Sequence, residues 1–262
     1  MNKQGEQTIL VADVANRITR LGVFAGDELV GMGESSTPRH ITTDEARSQI
    51  LGFLGRTLGG DAPDGAILSS VVPSHSSSWR EALEAASKTR ALVVGPGLKT
   101  GIRIRVENPR EVGSDRVANV VAARATYGVP VIVVSLGTTT NLEVVDASGS
   151  FVGGAIAPGL MMSLRALSEV AARLPLVEPL PPASVVGCST REAIQSGVVL
   201  GEAARVDGLL DAIAGREEQA PCVVLTGHHA QTVAPLLRHE ALVDKSLTLR
   251  GLNLIWRANH RA

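Results

Sequence analysis

Residues 131–153 of this chain repeat, in order, a pattern that residues 8–31 have already used. The first copy is a short apolar run (TILVA, 8–12), a polar turn from Asp13 to Arg17, a second run (ITRLGVFA), a turn at Gly26-Asp27 and a third run (ELVGMGES). The second is VIVV from Val131, then SLGTT, TNLEVVDA, a turn at Ser148-Gly149, and SFVGGAI. A shift of 122 residues superposes them, pairing Asp13 with Ser135, Ala15 with Gly137, Asn16 with Thr138, Leu29 with Phe151 and Gly31 with Gly153. Strand, polar turn, strand, turn, strand, met twice at a spacing near half of a 262-residue chain, predicts two similar α/β domains, each opening on an antiparallel meander. The expected division falls near residue 118, with one domain over 1–118 and the other over 119–262.

Between the meanders, Thr43 to Leu58 sets Ala46, Ile50, Phe53, Leu54 and Leu58 on one helical face. AILSSVVP (66–73) then reads as a buried strand, followed by a helix after Ser76 and a strand at Ala91 to Val94. With aromatics at only 2%, aliphatic side chains must fill the core. Lys and Arg total 25 against 26 acidic residues, so no electrostatic field draws in nucleic acid or an anionic membrane, and neither partner is expected. Cys188 and Cys222 lie far apart in no paired-ligand spacing, which predicts neither a disulfide framework nor a zinc site and fits a reducing cytoplasm. The stretch MNKQGEQTILVAD shows no apolar run before a small-residue cleavage site and no later run approaches 18 apolar residues, so neither secretion nor a membrane span is expected.

Phosphoryl transfer asks a protein mainly for backbone donors, hydroxyls, a carboxylate for a metal and a base. The two repeated turns can supply several of these. Gly137 would let backbone approach a phosphate, beside the hydroxyls of Thr138, Thr139 and Thr140. Asp13, at a strand end, could hold magnesium through water. A Gly-Thr-Thr-Thr stretch is equally at home in a plain turn. In GSDRVANVVAARATY (113–127), Ser114 can cap a helix whose first turn carries Asp115. Asp115 reads either as an acid stabilised by the helix dipole, a contribution of ~0.3–1 kcal/mol, or as a general base toward a substrate hydroxyl. His228-His229 suggests a metal pair, but adjacent strand residues face opposite ways, so a structural role at a loop end is expected.

DVAN at 13–16, SSVVP at 69–73, NPREVGSDRVAN at 108–119 and GGAIAPGL at 153–160 resemble motifs of the type III pantothenate kinases. The likeness continues through Gly187 to Thr190, TGH at 226–228 and LTLRGLNLI at 247–255. This resemblance implies a two-domain, actin-like (ribonuclease H-like) ATPase fold holding ATP, with pantothenate as acceptor and 4'-phosphopantothenate as product, the first step toward coenzyme A. It also implies magnesium, a monovalent cation (potassium or ammonium), and a homodimer with a shared acceptor site. By position, Asp13, Val14, Ala15, Asn16 and Arg17 would meet the ATP phosphates, with Gly137, Thr138 and Thr139 contacting ATP from the other domain. Val106, Gly113, Ser114, Asp115 and Arg116 would line the acceptor pocket, with Asp115 as base. Thr190 would reach the acceptor across the dimer interface.

The family usually has glycine and threonine where Ala15 and Arg17 stand. If that glycine is left-handed, Ala15 costs ~1–2 kcal/mol or reshapes the turn. Arg17 could clamp a phosphate or fill its site. Ser135 replaces an aspartate that binds the monovalent cation, keeping an oxygen but losing its charge, so cation affinity should fall. Val106 replaces a frequent aromatic. Two alternatives follow: a catalytically impaired paralogue that binds nucleotide or acceptor as a regulatory protein, and a kinase for another small hydroxyl acceptor.

Overall fold

In the computed structural model, which describes residues 7–215 and 219–260, the chain opens with β1 (Thr8–Val14), β2 (Ile18–Ala25), β3 (Glu28–Ser36), α1 (Thr43–Leu58), β4 (Gly65–Ser70), α2 (Pro73–Ser87) and β5 (Leu92–Val93). There follow β6 (Arg103–Ile104), α3 (Ser114–Tyr127), β7 (Val131–Leu136), β8 (Thr139–Val145), β9 (Ser150–Pro158) and α4 (Leu160–Val170). The remainder is α5 (Thr190–Gln195), α6 (Gly201–Ala214), β10 (Cys222–Thr226), α7 (Ala230–Val233), β11 (Leu242–Val243) and α8 (Leu247–His260), with a π-turn over Ser196–Leu200 leading into α6.

Both expected meanders are present, and each belongs to a larger sheet of the same design. One sheet has the order β3-β2-β1-β4-β5, the other β11-β10-β7-β8-β9-β6. Taking β7 as the counterpart of β1, the second repeats the first and adds β6 beside β9. In each, the opening strand pairs antiparallel with its hairpin partner and parallel with a later strand, β4 or β10. The repeat extends to a defect: β2 and β3 slip register so that Val30 bulges, and β8 and β9 slip so that Val152 does.

The shift of 122 is not uniform. It relates β1 to β7 and β3 to β9, but β2 lies 121 residues before β8: Asp13 faces Arg20, whereas Ser135 faces Asn141. The first turn (Ala15 to Arg17) is therefore one residue longer than the second (Gly137-Thr138); the pairing of Ala15 with Gly137 holds, since each directly follows its opening strand and donates its N–H to the carbonyl that opens the next (Ile18, 3.2 Å; Thr139, 3.0 Å), and the extra residue enters beyond it. A hairpin loop can gain a residue without disturbing the inward and outward alternation of its strands.

The division of the chain is also not a single cut near residue 118. One unit gathers residues up to Ile102, then Glu107–Ala122, and then residues from Ser246 onward; the other gathers Arg103–Val106 and Ala123–Lys245. The outer bounds expected at 1 and 262 lie outside the described residues. The cause of the return is α8, whose Leu247, Leu249, Leu252, Ile255 and Trp256 are buried within the first unit. Close approach there depends on a glycine: a Cβ on Gly251 would stand 1.9 Å from the Ala118 carbonyl oxygen. Thr248 Oγ1 donates to Asn119 Oδ1 at 2.7 Å beside it.

α1 starts where its sequence says it should. Thr42 Oγ1 accepts from Glu45 N–H (3.2 Å), and the Glu45 carboxylate accepts from Thr42 N–H (2.8 Å), a reciprocal cap that satisfies two otherwise orphaned donors. Its apolar stripe packs with Trp79, Ala82 and Leu83 of α2 against Leu10, Ala12, Val14 and Leu68 of the sheet. In the second unit, Ile132, Val134, Leu136, Leu142 and Val144 form the matching core with Ala203, Val206 and Leu210 of α6. Strands covered on both faces can be apolar throughout, which is why β1 and β7 read as unbroken runs.

Candidate functional site

In the first unit, a row of side chains crosses the carboxyl end of β1: Arg20 on β2, Asp13 on β1 and Ser69 on β4 are register neighbours and share a face. Asp13 is 2% exposed. Its carboxyl is pushed up to about 7, first by burial and then by the nearby negative charge of Asp115, with Arg20 and the Ser69 hydrogen bond opposing. Ser69 Oγ donates to Asp13 Oδ1 at 2.9 Å and lies 2.9 Å from Ser114 Oγ. A hydroxyl carries one hydrogen, so Ser114 is the donor in that second contact. Its hydroxyl, expected as a helix cap, serves instead as the first link of a relay from Ser114 through Ser69 to Asp13.

Asp115 follows in the first turn of α3. Desolvation raises its carboxyl, offset by the Arg116 N–H, which donates to Oδ1 at 2.8 Å, and by the Arg116 charge. Two residues before it, a Cβ on Gly113 would stand 2.6 Å from Asp115 Oδ1, so a larger residue there would displace the carboxylate from this position. The relay and the charge interaction thus bring Asp13, Ser114 and Asp115 together within one unit. Beyond Asp13, Val14 is buried, while Asn16 and Arg17 are exposed. Ala15 carries no left-handed strain: among the described residues, Lys88 is the only non-glycine with positive φ.

The second unit has a corresponding row of Asn141, Ser135 and Thr226 across β8, β7 and β10. It contains no carboxylate. Asn141 Oδ1 and Thr226 Oγ1 are buried without a hydrogen-bond partner among the described residues, on either side of Ser135. The turn itself is tied down through Gly137 N–H to the Thr139 carbonyl (3.0 Å) and Gly159 N–H to the Thr138 carbonyl (3.2 Å). Behind it, Thr140 Oγ1 donates to buried Glu202, which pairs with Arg205, and Arg205 donates to the Pro158 carbonyl at 2.7 Å. Burial raises the Glu202 carboxyl, with Thr140 and Arg205 opposing.

The remaining expected residues are dispersed. Val106 belongs to the second unit, whereas Gly113 to Arg116 belong to the first. Thr190 is exposed at the first position of α5, behind a reciprocal cap between Ser189 and Glu192. His229 is buried and its N–H donates to the Leu136 carbonyl (3.1 Å), while His228 is exposed and meets it edge to face. Both lie past the end of β10, in the loop that leads into α7. Sequence reasoning missed Ser69, Asn141, Thr226 and Glu202. Ser69 stood in a quoted string, SSVVP, but only strand register reveals its partner.

The family model for type III pantothenate kinase matches residues 9–212. A type III pantothenate kinase of Listeria monocytogenes (strain EGD-e) is 39% identical over 252 residues, covering 96% of this chain and 97% of the relative. One from Brevibacillus brevis is 42% identical over 252 residues, covering 96% and 99%. Among solved structures, the activator of the 2-hydroxyisocaproyl-CoA dehydratase from Clostridium difficile, solved with bound ADPNP, aligns at TM-score 0.58 and 13% identity, covering 96% of this chain and 95% of that one. That likeness bears on fold alone, and the duplicated sheets are those of the two-domain actin-like ATPases.

Proposed function

Because the chain belongs to the type III pantothenate kinase family, we propose that it transfers the γ-phosphoryl group of ATP to the primary hydroxyl of pantothenate, yielding 4'-phosphopantothenate and ADP. The observation that carries this reading is the relay from Ser114 through Ser69 to Asp13, which joins the candidate phosphate turn to the helix start bearing the candidate base. The bond from phosphorus to the ADP oxygen breaks, a bond to the acceptor oxygen forms, and the hydroxyl proton passes to Asp115. A carboxyl raised by burial holds such a proton better than an ordinary one.

Val14 to Arg17 would meet the phosphates from the first unit. Gly137, Thr138 and Thr139 would meet ATP from the second. A Cβ on Gly137 would find only the Thr139 carbonyl, at 3.8 Å, so the chain leaves space beside that glycine into which a phosphate could come. Ala15 fits the turn without left-handed strain, and exposed Arg17 is available to a phosphate. Gly113, Ser114, Arg116 and Val106 would line the acceptor pocket.

Asp13 suits magnesium held through water: it is a buried carboxyl at a strand end, with no cluster of three or more metal-binding side chains among the described residues, and magnesium takes one or two carboxylates plus substrate phosphates. The ion would neutralise charge developing on the phosphates. At Ser135 the donor set is neutral oxygen only, which suits a loosely held potassium or ammonium ion with Asn141 and Thr226 alongside.

A homodimer that shares acceptor sites is supported by apolar side chains left open on the second unit, namely Val170 (87% exposed), Val185 (75%) and Val186 (76%), the last two just before Thr190. Two free cysteines accord with a reducing cytoplasm. No helix of the described residues is long and apolar enough to cross a membrane.

The deciding experiment is ADP release by purified protein with ATP, magnesium and potassium or ammonium, with and without pantothenate. Release that requires pantothenate supports the reading. Nucleotide binding without turnover would point to the regulatory paralogue, and turnover only with another hydroxyl compound to a changed acceptor.

A further inference from the structure

The turn between β1 and β2 is held from outside by a single residue. Thr37 directly follows β3; its N–H donates to the Arg17 carbonyl at 2.8 Å, and its Oγ1 donates to the Ala15 carbonyl at 2.8 Å. Thr37 Oγ1 also lies 2.9 Å from Thr19 Oγ1. Since Thr37 gives its one hydroxyl hydrogen to Ala15, buried Thr19 is the donor in that contact. A line of donors from Thr19 through Thr37 to Ala15 therefore fixes the Thr37 hydroxyl.

The effect appears on the other side of the peptide. A trans peptide is planar, so its C=O and N–H point in opposite directions. With the Ala15 carbonyl drawn to Thr37, the N–H of Asn16 is aimed away from it. Neither the Asn16 nor the Arg17 N–H has an acceptor among the described residues. Both bonds that Thr37 donates go to backbone, so they hold the turn whatever side chain stands at 15 or 17.

We propose that Thr37 is a positioning residue for phosphoryl transfer: by holding the Ala15 carbonyl it aims the open Asn16 N–H at the phosphates of the nucleotide, while its bond to the Arg17 carbonyl anchors the far end of the turn. This rests on the reading of that turn as a phosphate-binding element. Donors fixed before the ligand arrives need no reordering on binding.

Two measurements separate the parts. In the full-length 15N-labelled protein, the Asn16 and Arg17 amide resonances should shift with magnesium-ADP and not with adenosine, which lacks phosphates. If they do not, the phosphate reading of the turn fails, and this proposal with it. Thr37→Val keeps the shape and removes the hydroxyl; it should raise the KM for ATP by about three- to ten-fold, the range of one net hydrogen bond. The KM for pantothenate and adenosine binding should not move, and Thr37→Ser should restore the parent KM for ATP. Should Thr37→Val fail to fold, Thr19→Val, which removes only the donor that fixes the Thr37 hydroxyl, should shift the KM for ATP the same way by a smaller factor. Amide shifts as expected with a parent KM for ATP in the folded Thr37 or Thr19 variant, or an equal loss for adenosine, would overturn the positioning role while leaving the turn's phosphate reading intact.

Discussion

Ser69 Oγ donates to Asp13 Oδ1 at 2.9 Å, so the hydrogen of one buried hydroxyl is committed to a carboxyl that burial has pushed up to about 7. In the unfolded chain that carboxyl titrates near 3.8. Between these values the native state binds the extra proton, and the Asp13 contribution to stability falls as pH rises through that window. Without nucleotide or metal, Asp13→Asn, neutral at every pH, should melt above the parent at pH 8 and gain little at pH 4. A melting difference independent of pH would exclude Asp13 as the cause.

Asp115→Asn should leave the melting temperature near that of the parent and lower pantothenate-dependent turnover by about 100-fold or more, as expected for loss of a positioned base. In the parent, the acidic limb of the pH–rate profile should lie above the ordinary carboxylate range, because burial raises this group. Near-normal turnover in the variant would remove Asp115 from the chemistry.

Ser135→Asp adds a carboxylate to a row that has none, between Asn141 and Thr226. The concentration of potassium or ammonium needed for half-maximal ADP release should drop, since charge count governs the affinity of oxygen-ligand sites. Identical cation dependence in parent and variant, both active, would show that this position does not govern the cation.

Thr190→Ala should weaken pantothenate use, and mixing it with Asp115→Asn should recover part of the lost activity if sites are shared between subunits. Mixed dimers would then hold one intact composite site. Subunit exchange verified by native mass spectrometry, with no recovery, would argue for self-contained sites.

Gly251→Ala and Gly208→Ala make opposite demands on the same fold. The first drives a methyl toward the Ala118 carbonyl and should destabilise by about 1–3 kcal/mol or more. The second meets nothing within 4 Å in the middle of α6 and should stabilise by about 0.5–1 kcal/mol through helix propensity. Thermal melts of the two, moving in the same direction, would contradict this account of packing.

Much of this architecture was legible in the sequence because it is local. The stripe of Ala46, Ile50, Phe53 and Leu54 announces α1, and Asp13 and Gly137 sit at strand ends where the doubled pattern put them. Three features were not legible, each for a different physical reason. The extra residue in the first turn leaves the apolar alternation untouched. The return of α8 to the first unit depends on contacts across most of the chain, which periodicity cannot express. Thr37 and Ser69 look like ordinary strand-end hydroxyls until strand register gives them partners.

The placement of α8 also sets the order of manufacture. The sheet that begins with Thr8 is covered on one face by α1 and α2 soon after synthesis, but Leu249 and Trp256, which pack beside Gly22 and Gly65, leave the ribosome only after the whole second unit. During translation the first unit must wait with an apolar face uncovered, while the second, bounded by Lys245, already has all of its strands. The half of the protein made first is therefore the half finished last, and a chain cut short before Ser246 would expose β1 and β4 to chaperones and proteases while leaving the second sheet whole.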